Sequence, residues 1–188
     1  VENCTVNSKN GMNFNNSTDV TVNNCTAAVR GYAVRFGEST GGSGAAETYA
    51  ISNSTLKSAC ADGDAVVILR GTADNSTLTI TNTTLEGTTQ LTNNAAGAKV
   101  LIDGVVAVTT ADGLVDALKE NKDVIFMNDI TIAATEGGYN KAGILQNNAQ
   151  TIDGAGHTLT VTGAGSTWDC AIYTNGGVIK NLTVAGAM

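Results

Sequence analysis

The chain has 188 residues, 42% of them hydrophobic, and its 10 Lys and Arg against 17 Asp and Glu give a formal net charge of −7. It is too apolar and too weakly charged for a disordered protein, no apolar run approaches the roughly 18 residues of a membrane-spanning helix, and its acidity argues against a nucleic-acid or membrane partner. It has no proline, while Thr and Asn number 27 and 20, a composition typical of a turn-rich β structure.

A six-residue pattern, Val/Ile-x-Asn-x-Thr followed by an apolar or small residue, recurs along the chain. Its copies begin at Val1, Val22, Ile51, Ile80 and Ile179. Positions one, four and six are apolar or small and point inward, whereas positions two and five face solvent, as the alternation of strands requires. The Asn at position three marks a turn, because Asn tolerates left-handed backbone angles. We expect these side chains to hydrogen-bond to one another as a structural ladder formed by Asn3, Asn24, Asn53, Asn82 and Asn181.

Two cysteines, Cys4 and Cys25, occupy position four of consecutive copies. Neighbouring strands lie about 4.8 Å apart, inside the Cα window of a disulfide. Equivalent positions hold Ser54, Thr83 and Leu182, so a disulfide and a stack of free thiols are both open, and the free thiols are favoured. Because the chain has no Cys-x-x-Cys pair and a single His, no metal site is predicted.

A further strand is predicted between successive copies, at Met12–Phe14, 32–36 and 65–69. The first four copies are 21, 29 and 29 residues apart, which leaves room for about three strands per coil of a parallel β-helix. A left-handed hexapeptide helix would need a constant, shorter spacing. The absence of proline fits strands that pair on both edges, since proline lacks the backbone donor.

A short α-helix is predicted near residues 111–120. Thr110 is a good N-cap, and Asp112 lies in the first turn, where the helix dipole favours an anion. The apolar stripe of this helix consists of Leu114, Ala117 and Leu118. Strand patterns follow at 123–127 and 129–132.

The segment 151–159, TIDGAGHTL, is similar to a turn that opens many parallel β-helices. It contains His157, the chain's single histidine, which we expect to belong to the turn. Asp153 is the carboxylate available to orient it as a base. With the repeats and the helix, this segment makes the whole chain resemble the pectate-lyase-like right-handed parallel β-helix superfamily.

The resemblance implies an all-β, right-handed parallel β-helix with about three strands per coil and one short capping α-helix near residues 111–120. Residues 1–108 resemble middle and late coils, whereas residues 109–188 resemble a cap and first coils. The second part belongs to the same domain by swapping or begins a second tandem module. Val1 and Met188 fall inside strand patterns, so we expect a longer parent protein, with any signal peptide outside this sequence. Open coil ends also predict head-to-tail self-association.

The resemblance implies a carbohydrate ligand and an extracellular or bacterial cell-surface location. Lyases of this superfamily hold calcium with clustered acids and use a basic residue to take a proton from a uronic acid. The weak candidates for this chemistry are Arg35, Glu38, Asp62, Asp64 and Arg70. Because the family's catalytic motifs are not matched, we expect a non-catalytic module without a cofactor, either a structural stalk or a carbohydrate-binding or adhesive surface. A polysaccharide lyase or glycoside hydrolase acting on acidic polysaccharide, with calcium in the lyase case, is the alternative.

Overall fold

The computed structural model describes residues 1–15, 17–39, 46–61, 64–133, 145–147, 149–162 and 171–186. Asp62, Cys170 and Met188 lie outside the described residues, as do residues 40–45. Strands hold 49% of the described residues and there is one α-helix among them, so the all-β class is confirmed. No described helix is long and apolar enough to cross a membrane. The chain divides into two compact units, Val1–Gly104 and Val105–Met188.

The first unit consists of short strands and one 3₁₀ turn at Gly71–Ala73. Its strands are, in chain order, β1 (Thr5–Ser8), β2 (Met12–Phe14), β3 (Val20–Asn23), β4 (Thr26–Val29), β5 (Val34–Phe36), β6 (Thr48–Ser52), β7 (Thr55–Ser58), β8 (Val67–Leu69), β9 (Thr77–Thr81), β10 (Thr84–Glu86), β11 (Leu91–Asn93) and β12 (Lys99–Ile102). They pair in parallel in the orders β1-β4-β7-β10, β2-β5-β8-β11 and β3-β6-β9-β12. Each strand from β1 to β9 therefore pairs with the strand three places further along the chain.

The core of the first unit comes from the inward positions of these strands. Val22 pairs in register with Ile51, and both are fully buried. Phe36 stacks between Phe14 and Tyr49, with ring centroids 5.6 and 4.5 Å away. Burial raises the pKa of Tyr49, and its hydrogen bond with a Ser76 side chain only partly opposes this. The apolar positions of the repeat thus form the interior, as side-chain alternation predicts.

The second unit combines strands with the α-helix. In chain order its elements are β13 (Val105–Val108), α1 (Ala111–Lys119), β14 (Val124–Phe126), β15 (Ile130–Ala133), β16 (Leu145–Asn147), β17 (Thr151–Asp153), β18 (Thr158–Thr162), β19 (Ile172–Thr174), β20 (Val178–Lys180) and β21 (Thr183–Gly186). Its parallel pairings run β13-β14-β17-β20, β15-β18-β21 and β16-β19. Here too the partners are non-consecutive strands, apart from β13 and β14, which flank the helix.

Helix α1 begins and packs as predicted. The Thr110 hydroxyl accepts the Gly113 N–H at 3.2 Å, and Asp112 lies in the first turn. Leu114, Ala117 and Leu118 are buried, and Val115 extends the predicted stripe. These side chains belong to one apolar cluster with the inward residues of β14, β15, β17 and β18. The predicted helix and its N-cap are therefore confirmed.

Candidate functional site

Arg35, a predicted catalytic candidate, lies on β5 with its side chain held by two neighbours. Its Nε donates to Asn13 Oδ1 at 2.8 Å, and its guanidinium carbon lies 4.5 Å from the centroid of the Tyr32 ring. A cation over an aromatic face is attracted to the ring quadrupole. The adjacent Val34 and Phe36 are fully buried, so Arg35 points away from the core. Its contacts tie β5 to β2, which is a structural role.

Glu38 and Arg70 lie in neighbouring turns that are joined through their backbones. The Arg70 N–H donates to the Phe36 carbonyl at 2.9 Å, and the Thr72 N–H donates to the Glu38 carbonyl at 3.1 Å. The Thr72 hydroxyl in turn accepts the Glu38 N–H at 2.6 Å. The structure thus brings these two candidates close in space, although through main-chain and hydroxyl bonds rather than an ion pair between the described residues.

Asp64 lies near Gly31, with its Oδ2 3.4 Å from the position that a Cβ on Gly31 would take. Asp62 falls outside the described residues. Within the described part of the chain, no three His, Cys, Asp or Glu side chains are placed to hold a metal ion.

The five repeat asparagines share a left-handed backbone, with φ between 45° and 55°. Asn24 Nδ2 donates to Asn3 Oδ1 at 2.6 Å, and Asn82 Nδ2 donates to Asn53 Oδ1 at 2.9 Å. Asn53 Nδ2 instead reaches Asn23 Oδ1, at 3.0 Å. The side-chain bonds thus join these residues in pairs, and Asn53 does not bond to Asn24 as a continuous ladder would require.

The fifth asparagine bonds to a carboxylate because its neighbouring strand carries no Asn at the turn. Asn181 Nδ2 donates to Asp153 Oδ1 at 3.1 Å, and Lys180 Nζ lies 3.1 Å from Asp153 Oδ2. Burial raises the pKa of Asp153, but hydrogen bonds from the Ala155 N–H, Asn181 and Lys180 and the charge of Lys180 outweigh it. The pKa is therefore lowered. A Cβ at Gly154 would lie only 2.5 Å from the Asn181 carbonyl, so glycine is needed for this close approach.

Position four of the repeat carries its own column of hydrogen bonds. Ser54 Oγ donates to the Ser52 carbonyl at 2.7 Å and accepts the Cys25 N–H at 3.1 Å. Cys25 Sγ lies 3.3 Å from the Asn23 carbonyl, the equivalent acceptor. Cys4 and Cys25 are free thiols, as favoured from the sequence. In the first four copies, position four therefore holds a small donor that reaches the carbonyl two residues earlier.

His157 contacts Asp129 rather than Asp153, the carboxylate available in its own segment. Its Nδ1 lies 3.4 Å from Asp129 Oδ1, and the same oxygen accepts the Thr158 N–H at 2.8 Å. Asp153 bonds to Asn181 and Lys180 instead. His157 itself belongs to a turn, since its N–H donates to the Gly154 carbonyl at 2.8 Å.

A groove of about 750 Å³ lies on the outer face of the β1-β4-β7-β10 sheet. Lys9, Arg30 and Lys57 line it, together with Glu86. Lys9 follows β1 directly and Arg30 follows β4, and the Arg30 N–H donates to the Lys9 carbonyl at 3.1 Å. The backbones of these two residues therefore lie side by side, at the ends of neighbouring parallel strands.

The charges in this groove are unevenly paired. Lys57 Nζ lies 2.8 Å from Glu86 Oε2, with both side chains about half exposed. Among the described residues, no ion pair involves Lys9 or Arg30. Like charges on neighbouring strands repel each other when they are close, and a bound anion offsets such repulsion.

A polar column continues the same outer face next to the groove. Threonines at position five of the repeat stand in register on four neighbouring strands. They are Thr5, Thr26, Thr55 and Thr84. Asn7 and Ser8, which are exposed, also line the groove. The face therefore presents hydroxyl and amide groups beside two cations that have no ion-pair partner in the described part of the chain.

Sequence reasoning missed the groove, although one signal was present. Lys9 and Arg30 are 21 residues apart, as are Asn3 and Asn24. Each is therefore the ninth residue counted from the start of its own copy of the pattern.

The chain matches no known protein-family profile, no curated protein and no solved structure. The groove's chemistry is therefore the basis for a functional interpretation, and it suits an anionic ligand rich in hydrogen-bonding groups.

Proposed function

We propose that this chain is a non-catalytic module, built as a right-handed parallel β-helix of the pectate-lyase-like kind, that binds an acidic polysaccharide along the groove. The pairing of each strand with the third strand after it supports three strands per coil. Crossover connections between parallel strands of one sheet are right-handed in about 98% of cases, which supports a right-handed sense for the coils. The turns with left-handed Asn mark where one strand of a coil ends and the next begins.

The observation that supports an anionic ligand is the pair of cations at Lys9 and Arg30. The chain as a whole has a formal charge of −7, yet this groove holds three cations against the single carboxylate of Glu86. Arg and Lys bind carboxylate and sulfate-like groups with charge-assisted hydrogen bonds. A polymer with repeated anionic groups matches cations presented on successive strands.

The neutral groups of this outer face fit the rest of a sugar chain. The threonine column and the side chains of Asn7 and Ser8 supply donors and acceptors for hydroxyl groups. The described residues that line the groove include no aromatic side chain, so the proposed binding depends on charge and hydrogen bonds rather than on ring stacking. We infer that the module acts as an adhesive surface at an extracellular or bacterial cell-surface location.

The test is binding to immobilised polygalacturonate and to a neutral glucan of similar length, measured at low ionic strength. We expect the chain to bind the acidic polymer and not the neutral one. The Lys9→Gln/Arg30→Gln variant should bind at least ten-fold more weakly. Lys119→Gln/Lys122→Gln is the matched control, since it removes the same charge from exposed positions of the second unit.

Three outcomes would contradict this proposal. Equal binding of both polymers would mean that charge does not select the ligand. An equal loss in both double variants would mean that only net charge matters. New ultraviolet absorbance from unsaturated sugar products, with or without added calcium, would show lyase activity, and its loss in Arg35→Gln would implicate the predicted candidates.

A further inference from the structure

Cys4 and Cys25 are direct neighbours at position four of two successive copies of the repeat. The strands that follow them, β1 and β4, pair in register, and the Thr26 N–H donates to the Cys4 carbonyl at 2.8 Å. On the other side of the cysteines, Glu2 and Asn23 form a parallel bridge. Backbone pairing both before and after the two cysteines therefore fixes one beside the other.

The thiols of these two residues point the same way. Cys4 Sγ lies 3.3 Å from the Glu2 carbonyl, and Cys25 Sγ lies 3.3 Å from the Asn23 carbonyl. Because paired backbones carry side chains with the same contact, the sulfur atoms are separated by about the spacing of neighbouring strands, 4.8 Å. That separation is more than twice the length of a disulfide bond, about 2.05 Å, and both thiols are unbonded in this arrangement.

The spacing of the sulfur atoms suits a metal ion held between them. A bond from a thiolate to zinc is about 2.3 Å long, so two bonds of this length in line span about 4.6 Å. A soft ion such as Cu(I) is selected by thiolate ligands, and its filled d shell allows it to bind two of them in a line. The two stacked cysteines therefore supply both the ligand type and the distance that such an ion needs.

Zinc is poorly served by the same column. Structural zinc takes four ligands, and no three His, Cys, Asp or Glu side chains are grouped for metal binding within the described residues. Beyond Cys25 the column continues with Ser54 and Thr83, whose hydroxyls donate to carbonyls of their own strands. A hydroxyl is a hard ligand that suits a soft ion less well than sulfur does. The column therefore favours an ion that is satisfied by two sulfurs.

We propose that Cys4 and Cys25 together bind one Cu(I) ion as a linear dithiolate. The thiolate is the form of cysteine that binds metal, so two S–H bonds break, two Cu–S bonds form and two protons pass to solvent, while copper stays cuprous. The Asn23 carbonyl loses the Cys25 thiol as a donor but keeps the Asn3 N–H at 3.1 Å. Cys25 is only 1% exposed, so its side of the ion is shielded from water.

Serine is a conservative replacement at these positions, because the column itself contains it. Ser54 occupies position four of the third copy, where it is 4% exposed. Its hydroxyl donates to the carbonyl two residues earlier, as the thiols do. Cys4→Ser and Cys25→Ser should therefore keep the local hydrogen bond and the fold while removing the metal ligands.

The test is competition for Cu(I) between the reduced chain and a chromophoric Cu(I) chelator without oxygen, with X-ray absorption at the copper edge to count the sulfur neighbours. The parent chain should bind Cu(I) through two sulfurs. Cys4→Ser/Cys25→Ser should weaken binding at least a hundred-fold, since even the loss of a group that only orients a ligand costs about 10–100-fold. Cys60→Ser/Cys170→Ser removes the same number of thiols from outside the column and is the matched control, which should bind as the parent does.

A second variant moves the site by one copy of the repeat. Cys4→Ser/Ser54→Cys removes one sulfur and places another on the opposite side of Cys25, where β4 and β7 pair in register. The Cys25 N–H already donates to Ser54 Oγ at 3.1 Å, so these two positions are also direct neighbours. This variant should regain Cu(I) binding through two sulfurs. It tests the stacking of thiols away from the first residues of the chain.

Three results would overturn the proposal. Unchanged affinity in Cys4→Ser/Cys25→Ser, or an equal loss in Cys60→Ser/Cys170→Ser, would place the copper elsewhere. Weak binding by Cys4→Ser/Ser54→Cys, with a circular dichroism spectrum that matches the parent chain, would show that stacked thiols are not sufficient. Ready formation of a Cys4–Cys25 disulfide with oxidised glutathione would mean that the sulfur atoms approach far more closely than the strand spacing.

Discussion

Asn24 Nδ2 donates to Asn3 Oδ1 at 2.6 Å, a bond between residues 21 places apart in the chain. Both residues have a left-handed backbone, with φ of 52° and 55°. The same side chain type therefore meets two requirements at once, because it tolerates the turn and carries both a donor and an acceptor for its neighbours.

Substitution of Asn24 separates these two requirements. Asn24→Ala loses the hydrogen bond, about 1 kcal/mol, and strains the left-handed backbone, about 1–2 kcal/mol. Asn24→Gly loses the bond without that strain, so the free energy of unfolding should fall less for Gly than for Ala. Urea unfolding followed by circular dichroism measures both variants. Equal losses would mean that the backbone angle contributes little.

Ile152 and Ile179 provide a matched pair, because they are register partners with different burial. Ile152→Ala should lower the free energy of unfolding by about 2–5 kcal/mol, since it leaves a cavity in the core. Ile179→Ala should cost less than about 1 kcal/mol when measured in dilute solution, because its side chain is already 41% exposed. Similar losses would show that Ile179 is covered in solution, for instance by a second copy.

Asp153 predicts a pH dependence of stability. Its folded-state pKa lies below the ordinary value of 3.8, so the carboxylate stabilises the folded chain at pH above that value. This contribution declines as the pH falls through 3.8 and is lost below the folded-state pKa. Asp153→Asn should therefore be less stable than the parent at pH 6, with a smaller difference at pH 3. A difference that is independent of pH would contradict the assignment.

Glu86 limits the cationic character of the groove, because it pairs with Lys57 at 2.8 Å. Glu86→Gln should free this lysine and raise the affinity for polygalacturonate several-fold. The gain should shrink as salt rises to 0.5 M, since exposed charges are then strongly screened. Glu38→Gln makes the same charge change outside the groove and is the control. An equal gain in the control would assign the effect to net charge alone.

Local patterns predicted the elements whose signals lie within a few residues. Thr110 and the stripe from Leu114 to Leu118 specify a helix start and a buried face, and the structure has both. The repeat asparagines specified the turns, and all five have the left-handed backbone. The partners of these side chains were harder to predict. Asn53 bonds to Asn23 instead of Asn24, although the register sets Asn23 opposite Ser52.

Sequence alone determined the strand-rich class, the turns and the helix. The signals for these are the alternation of apolar and polar side chains, the tolerance of Asn for a left-handed backbone, and helix capping, and all three act between neighbouring residues. Only the tertiary structure decided what lies side by side. It placed the backbone of Lys9 beside that of Arg30 at the ends of neighbouring strands and set His157 beside Asp129. It also left Ile179 and Val184 exposed at an edge. Such neighbours depend on the register between strands more than twenty residues apart, and the varying connections between repeat copies do not specify that register locally.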